Sequence, residues 1–167
     1  QDNAAVHSSP IESLTMFQMR SVVVTALVGA AWICAWSPPA AAHDHATGIV
    51  KERMDSMEKM ARTLKAITQR VRAGNGLEKI PPAAKTIHIE ALRITTQFPK
   101  GSNKHPSEAK ASIWANASDF EGKAAALVAA SERLAAADTS NLAEVTKRHQ
   151  ALARTCGACH ELYRENR

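Results

Sequence analysis

The sequence predicts an all-α protein, an antiparallel up-down-up-down four-helix bundle, and three observations carry that expectation. Of the 167 residues 45% are hydrophobic but only 4% aromatic, so the core must be built from aliphatic and small side chains. That balance suits helices in close contact better than the aromatic and β-branched faces of a sandwich. Four segments place apolar residues at alternating steps of three and four, the period of a helix that buries one stripe. Short connections rich in Gly, Asn, Pro and Asp separate them, which favours antiparallel neighbours.

The first helix is expected over residues 45–72, with the stripe Val50, Met54, Met57, Ala61, Leu64 and Val71, widened by Met60 and Ile67. Gly74-Asn75-Gly76 stops it. The second opens at Pro81-Pro82, proline being well placed in a first turn, and buries Ala84, Ile87, Ala91, Ile94 and Phe98 before Pro99 ends it. After the polar loop 99–106, Ser107 is the expected cap of a third helix lined by Ile113, Ala117, Phe120, Ala124, Leu127 and Leu134, in which Gly122 suggests a close approach. Asp138 to Asn141 makes a turn, Asn141 with Glu144 has the form of a capping box, and the fourth helix carries Leu142, Val145, His149, Leu152, Cys156, Cys159 and Tyr163. Both of its cysteines therefore fall on the core stripe.

Residues 1–42 have the character of a processed leader. Met16 or Met19 offers a start, Arg20 a positive charge, and Val22 to Trp36 an uncharged, mostly apolar run that is short for a bilayer span. Ala40-Ala41-Ala42 supplies small residues for cleavage before His43, so the domain is 43–167 and is expected in the periplasm. Cys34 follows Ile33, which is too large for a lipid-attachment signal, and is expected to leave with the leader; residues 1–15 precede any Met and are set aside. Cleavage there would also create a His43-Asp44-His45 terminus whose amine and third-position histidine suit square-planar Cu(II) or Ni(II), although a frayed polar end is the simpler reading.

The processed chain carries 20 basic and 14 acidic side chains, a net charge of +6. The charges are interspersed and no Lys/Arg run or aromatic cluster accompanies them, so nucleic acid is not an expected partner. Redox partner proteins, acidic ones among them, are expected instead, with no stable membrane insertion after processing. A homodimer through exposed faces of the first two helices is left open.

The chemistry lies in Cys156-Gly157-Ala158-Cys159-His160. Thiols one helical turn apart can add to the two vinyl groups of one haem, and the adjacent histidine is then placed to ligate its iron. A structural zinc would need a second Cys/His pair, and the processed chain has no other cysteine. A thioredoxin-like site would need a βαβ context, and no strand signal is present. One covalent haem c is the expected cofactor, held inside the bundle with the first helix facing its other side.

With these motifs the chain resembles the class II c-type cytochromes, the cytochrome c′ family. The resemblance rests on IVKERMDSM (49–57), FPKGSNKHPSEAKASIW (98–114) and CGACHELYR (156–164), and spans the whole processed chain. It implies that Cys156 and Cys159 bind the haem, that His160 is the proximal iron ligand and that Met57 occupies the distal position. It also implies a place for Arg53 near a haem propionate and for Arg164 near the proximal face. Members with a bound distal Met are low-spin electron carriers; others keep an open iron that binds NO or CO. The expectation is an exported monohaem protein that carries single electrons between Fe(III) and Fe(II) and turns over no substrate, with gas binding as the alternative.

His88 and His105 are read as ordinary histidines and His149 as a hydrogen-bonded core residue. Trp114 is the one tryptophan left after processing. Energy transfer to a haem should therefore quench nearly all tryptophan emission of the processed protein, and bright emission would contradict a bound haem.

Overall fold

The computed structural model describes residues 45–165. The leader, Cys34, the cleavage point after Ala42 and the His43-Asp44 pair lie outside the described residues. Helix α1 spans Gly48–Ala73 and ends where Gly74, at φ 64°, turns left-handed and donates its N–H to the Val71 carbonyl at 3.3 Å. Glycine adopts that conformation without a Cβ penalty, and Gly76 repeats it at φ 64°. A 3-10 turn, Leu77–Lys79, leads into α2, Ile80–Ala91, with its prolines in the first turn as expected. A second 3-10 turn, Ile94–Gln97, continues the buried stripe of α2.

A crossover then runs to a single helical turn, α3 (Ser112–Ala115), to α4 (Ala117–Ala135) and finally to α5 (Leu142–Tyr163). The third long helix thus begins well after Ser107, which caps nothing. Its hydroxyl accepts hydrogen bonds from Arg53 of α1 and from the Ala109 N–H. Ala117 starts α4 exposed, and a Cβ on Gly122 would meet nothing within 4 Å, so no close approach occurs there. Asn141 does cap α5, its Oδ1 accepting the Glu144 N–H at 3.1 Å.

The four long helices pack in ring order, α1 on α2, α2 on α4, α4 on α5 and α5 back on α1, the antiparallel four-helix bundle the periodicity predicts. Ile67, Ile80, Ile87, Leu134, Val145 and Leu152 are its largest fully buried aliphatic side chains. Among the described residues there is no named strand, only an isolated antiparallel bridge between Ala109 and Arg164, and no helix is long and apolar enough to cross a membrane. His149 sits between α5 and α1 with Nε2 2.8 Å from Thr68 Oγ1. Because that hydroxyl donates to the Leu64 carbonyl, the imidazole must be the donor in the pair.

One polar seam crosses the α1–α2 contact. Glu90, buried, accepts from Ser56 Oγ at 2.8 Å and from Lys59 Nζ at 2.6 Å, with Arg93 at 3.4 Å, while Gln97 Nε2 donates to Ser56 Oγ at 3.0 Å. The Lys59 hydrogen bond, then that of Ser56, holds the Glu90 carboxyl below its ordinary range. A carboxylate so depressed stabilises the fold above its unfolded-state pKa, and the contribution disappears as the pH falls through the folded value. Glu90→Gln should therefore lower urea stability at pH 7 and flatten its decline below about pH 4.3, the reference carboxylate value; an unaltered acid limb would count against the seam. Leu134→Ala, which empties a fully buried site, should cost about 3 kcal/mol in the same assay.

Candidate haem-binding site

Inside the bundle α1 and α5 do not meet across a filled core. Between them lies a cavity of about 490 Å³, bounded also by α2, α4 and the crossover. Ala61 shows what this does to the sequence pattern: it lies on the predicted stripe of α1 yet is exposed, because that stripe borders the cavity rather than another helix. Met54, Met57, Met60 and Leu64 share this wall with it, facing Leu152 and the cysteines of α5, with Phe120, Ala124 and Leu127 of α4 alongside. All six residues singled out from the sequence, Arg53, Met57, Cys156, Cys159, His160 and Arg164, line this one space.

On α5 the two cysteines sit one turn apart as free, half-buried thiols. Burial pushes both up from the ordinary thiol value, with Lys123 opposing it at Cys159. A redox CxxC pair needs the reverse, a depressed thiol in an electropositive setting. His160 is half-buried, and desolvation followed by the Arg164 charge pulls it down while Glu108 pulls the other way. The neutral imidazole so favoured is the form that binds a metal. Among the described residues no group of three or more His, Cys, Asp or Glu gathers at metal-ligating distance.

Arg53 supplies the strongest sign of a missing anion. Only 3% exposed, its guanidinium donates to Ser102 Oγ at 2.8 Å, to the Ser102 carbonyl and Ser107 Oγ at 2.5 Å, and to the Gln97 carbonyl at 3.4 Å. It lies 4.7 Å from the Phe98 ring centroid. All these partners are neutral, and among the described residues no carboxylate pairs with it. Desolvation lowers its pKa accordingly. A buried cation at the rim of an apolar cavity is costly unless an anion completes it.

Arg164 differs. It ends α5 half exposed, with Nε 3.0 Å from Glu108 Oε2. Tyr163, on the predicted stripe, also lines the cavity; its hydroxyl donates to Asp119 Oδ2 at 2.5 Å, which pushes the phenol up to about 12. Sequence reasoning missed Glu108 and Lys123 as wall residues, and Ser102 and Ser107 as the holders of Arg53. Ser102, Ser107 and Glu108 lie in a crossover that no periodic signal marks, and Lys123 lies off the predicted stripe of its helix, so spacing could not have found them.

The volume lies within the roughly 300–1,000 Å³ usual for cofactor pockets, and the walls are apolar with a few convergent polar groups. A flat macrocycle carrying two carboxylates, tethered by two thiols and ligated by one imidazole, fits that donor set. A four-helix bundle closing on such a cavity with a CxxCH turn in its wall defines a c-type haem protein.

The chain belongs to the cytochrome c′ family: residues 48–164 match the family model described as cytochrome C′. It is 30% identical over 122 residues to cytochrome c-556 of Agrobacterium fabrum, a match covering 72% of this chain and 83% of that one. With cytochrome c-556 of Agrobacterium tumefaciens (strain II Chrys) it shares 40% identity over 87 residues, 52% of this chain and 70% of the relative. Among solved structures, cytochrome c′ from Thermochromatium tepidum aligns with a TM-score of 0.66 at 22% identity, covering 71% of this chain and 95% of that one, which speaks for the fold alone. The cofactor is covalently bound haem c with its iron.

Cys156 and Cys159 are the expected attachment points, and their removal should leave the cavity without its filling. Cys156→Ala with Cys159→Ala is expected to give a loosened bundle that unfolds at lower temperature and binds hydrophobic dye. Native-like thermal stability of that double variant would contradict it.

Proposed function

We propose that the protein is an exported one-electron carrier of the periplasm, released from its leader after Ala42, in which Cys156 and Cys159 hold the haem, His160 is the proximal ligand and Met57 the distal one. The observation that supports this reading most is the placing of the Met57 thioether and the His160 imidazole on one cavity wall each, α1 and α5, with both cysteines on the α5 wall beside His160. Imidazole and thioether together are the ligand set of low-spin electron-transfer haems, and a soft sulfur donor favours the reduced iron. Arg53 is assigned to a propionate, the anion its buried guanidinium otherwise lacks, and Arg164 to the proximal side.

The bound group supplies the Fe(III)/Fe(II) couple. The chain's own work is to exclude water with Leu64, Phe120, Leu127 and Leu152, to orient the imidazole, and to leave a surface at which acidic redox partners can approach. The surplus of basic side chains favours such partners.

A second reading, binding of NO or CO at an open iron, draws support from Ala61, one turn beyond Met57, whose small side chain leaves space on the distal wall. Solved relatives include a nitric oxide complex of a variant of cytochrome c′ from Alcaligenes xylosoxidans. The two readings separate in the optical spectrum of the processed protein. A sharp low-spin α band on reduction, unperturbed by CO, is the expected result; its absence, with a CO difference spectrum, would favour the gas-binding reading. In Met57→Leu the α band should be lost and apparent CO affinity should rise about tenfold or more, because the internal ligand no longer competes.

A further inference from the structure

The crossover is tied to the end of α5 by a row of contacts that the haem assignment does not use. The Lys110 N–H donates to the Tyr163 carbonyl at 3.0 Å, the Glu165 N–H to the Glu108 carbonyl at 2.8 Å, and Ser112 Oγ to the Leu162 carbonyl at 3.3 Å. These place Ala109 against Arg164 as an antiparallel bridge. The bridge carries the Glu108 side chain to the cavity wall, where Oε2 meets Arg164 Nε at 3.0 Å, and both side chains border the cavity that also contains His160. Arg164 is one turn beyond His160 on the same helix and donates its N–H to the His160 carbonyl at 3.1 Å. An arginine on the exposed last turn of a helix samples many rotamers unless something fixes it, and here a carboxylate from a different element does so.

We propose that Glu108 is a positioning residue for the proximal side of the site: its carboxylate fixes the Arg164 guanidinium beside His160 and adds a compensating negative charge there, and so lowers the reduction potential of the iron. The proposal rests on His160 being the proximal ligand. The sign follows from charge alone. Reduction adds an electron to the metal centre, so a nearby negative charge disfavours the reduced form and a nearby positive charge favours it. With Glu108 present, Arg164 acts as half of a near-neutral pair; with Glu108 neutralised, its charge acts alone. Losing the carboxylate removes one negative charge from the proximal side, and that loss raises the potential. The side chain of Glu108 is 26% exposed, so water screens the effect without abolishing it.

The test is a spectroelectrochemical titration of the haem-loaded protein and its Glu108→Gln, Glu108→Asp and Arg164→Gln variants, at one pH and ionic strength. At the potential where the parent is half reduced, Glu108→Gln should show an Fe(II)/Fe(III) ratio raised about threefold or more, Glu108→Asp should return most of the way, and Arg164→Gln should shift the ratio downward. Amide hydrogen exchange at Lys110 provides a readout independent of the metal, and its protection should persist in Glu108→Gln because backbone bonds hold the bridge. An unmoved ratio in Glu108→Gln, or a shift of the same sign in Arg164→Gln, would overturn the proposal. His160→Ala distinguishes its failure from that of the ligand assignment: an unchanged spectrum in that variant removes the assignment itself, whereas an altered spectrum with an unmoved Glu108→Gln ratio removes Glu108 alone.

Discussion

At one end of this bundle the helices line a space instead of a packed core, and the rest of the structure depends on that constraint. The stripes of α1 and α5 face a cavity of about 490 Å³ instead of interdigitating. A space that size lined by Met, Leu, Phe and Cys is far larger than the gaps native cores leave between their own side chains, and it is the size of a cofactor pocket. The helices are held as they are for the sake of what fills the space. The tightly closed contacts lie elsewhere, where Ile67, Ile80, Leu134 and Val145 are fully buried. The bundle is thus firm at one end and hollow at the other, and the CxxCH turn stands at the hollow end.

Charge around that hollow is arranged by the crossover more than by the helices. Arg53 on α1 is held by Ser102, Ser107 and the Gln97 carbonyl, and Arg164 on α5 is met by Glu108. Desolvating a guanidinium among neutral acceptors is unfavourable by itself, and on the proposed assignment the Arg53 cluster is half of an ion pair whose anion comes with the cofactor. Arg164, half exposed and already paired, has a milder environment, which suits a group that adjusts a field rather than anchors a ligand. The seam of Ser56, Lys59, Glu90 and Gln97 lies behind Arg53, along the α1–α2 contact. It fixes the register of the helix that presents Met57, because a buried carboxylate with two hydrogen-bond donors on α1 cannot slide by a residue without losing both.

The helices were legible in the sequence because burial there is periodic. The alternating three-and-four steps from Val145 through Leu152 and Cys156 to Tyr163 describe α5 as it stands, and the Asn141 cap is where the pattern puts it. Where periodicity failed, another interaction competed. Ser107 has the chemistry of a helix cap, but the Arg53 guanidinium claims its hydroxyl and α4 starts later. Ala61 has the spacing of a core residue, but what it faces is not protein. The six site residues could be gathered because four belong to helical stripes or the contiguous motif and the two arginines lie one turn from such residues. Glu108 and Lys123 could not, since a single charged residue in a polar crossover or on a helix flank carries no pattern until the fold brings it to the wall.

The proposed function requires that the α1–α5 cavity hold one haem iron between His160 and the Met57 wall. Anomalous diffraction from crystals of the processed protein, recorded on both sides of the iron absorption edge, tests it directly. The expected result is a single iron peak within the cavity at coordination distance from an imidazole nitrogen of His160, with continuous density from Cys156 and Cys159 to the macrocycle. An iron peak elsewhere on the molecule, or none in a protein whose two thiols remain free, would contradict it.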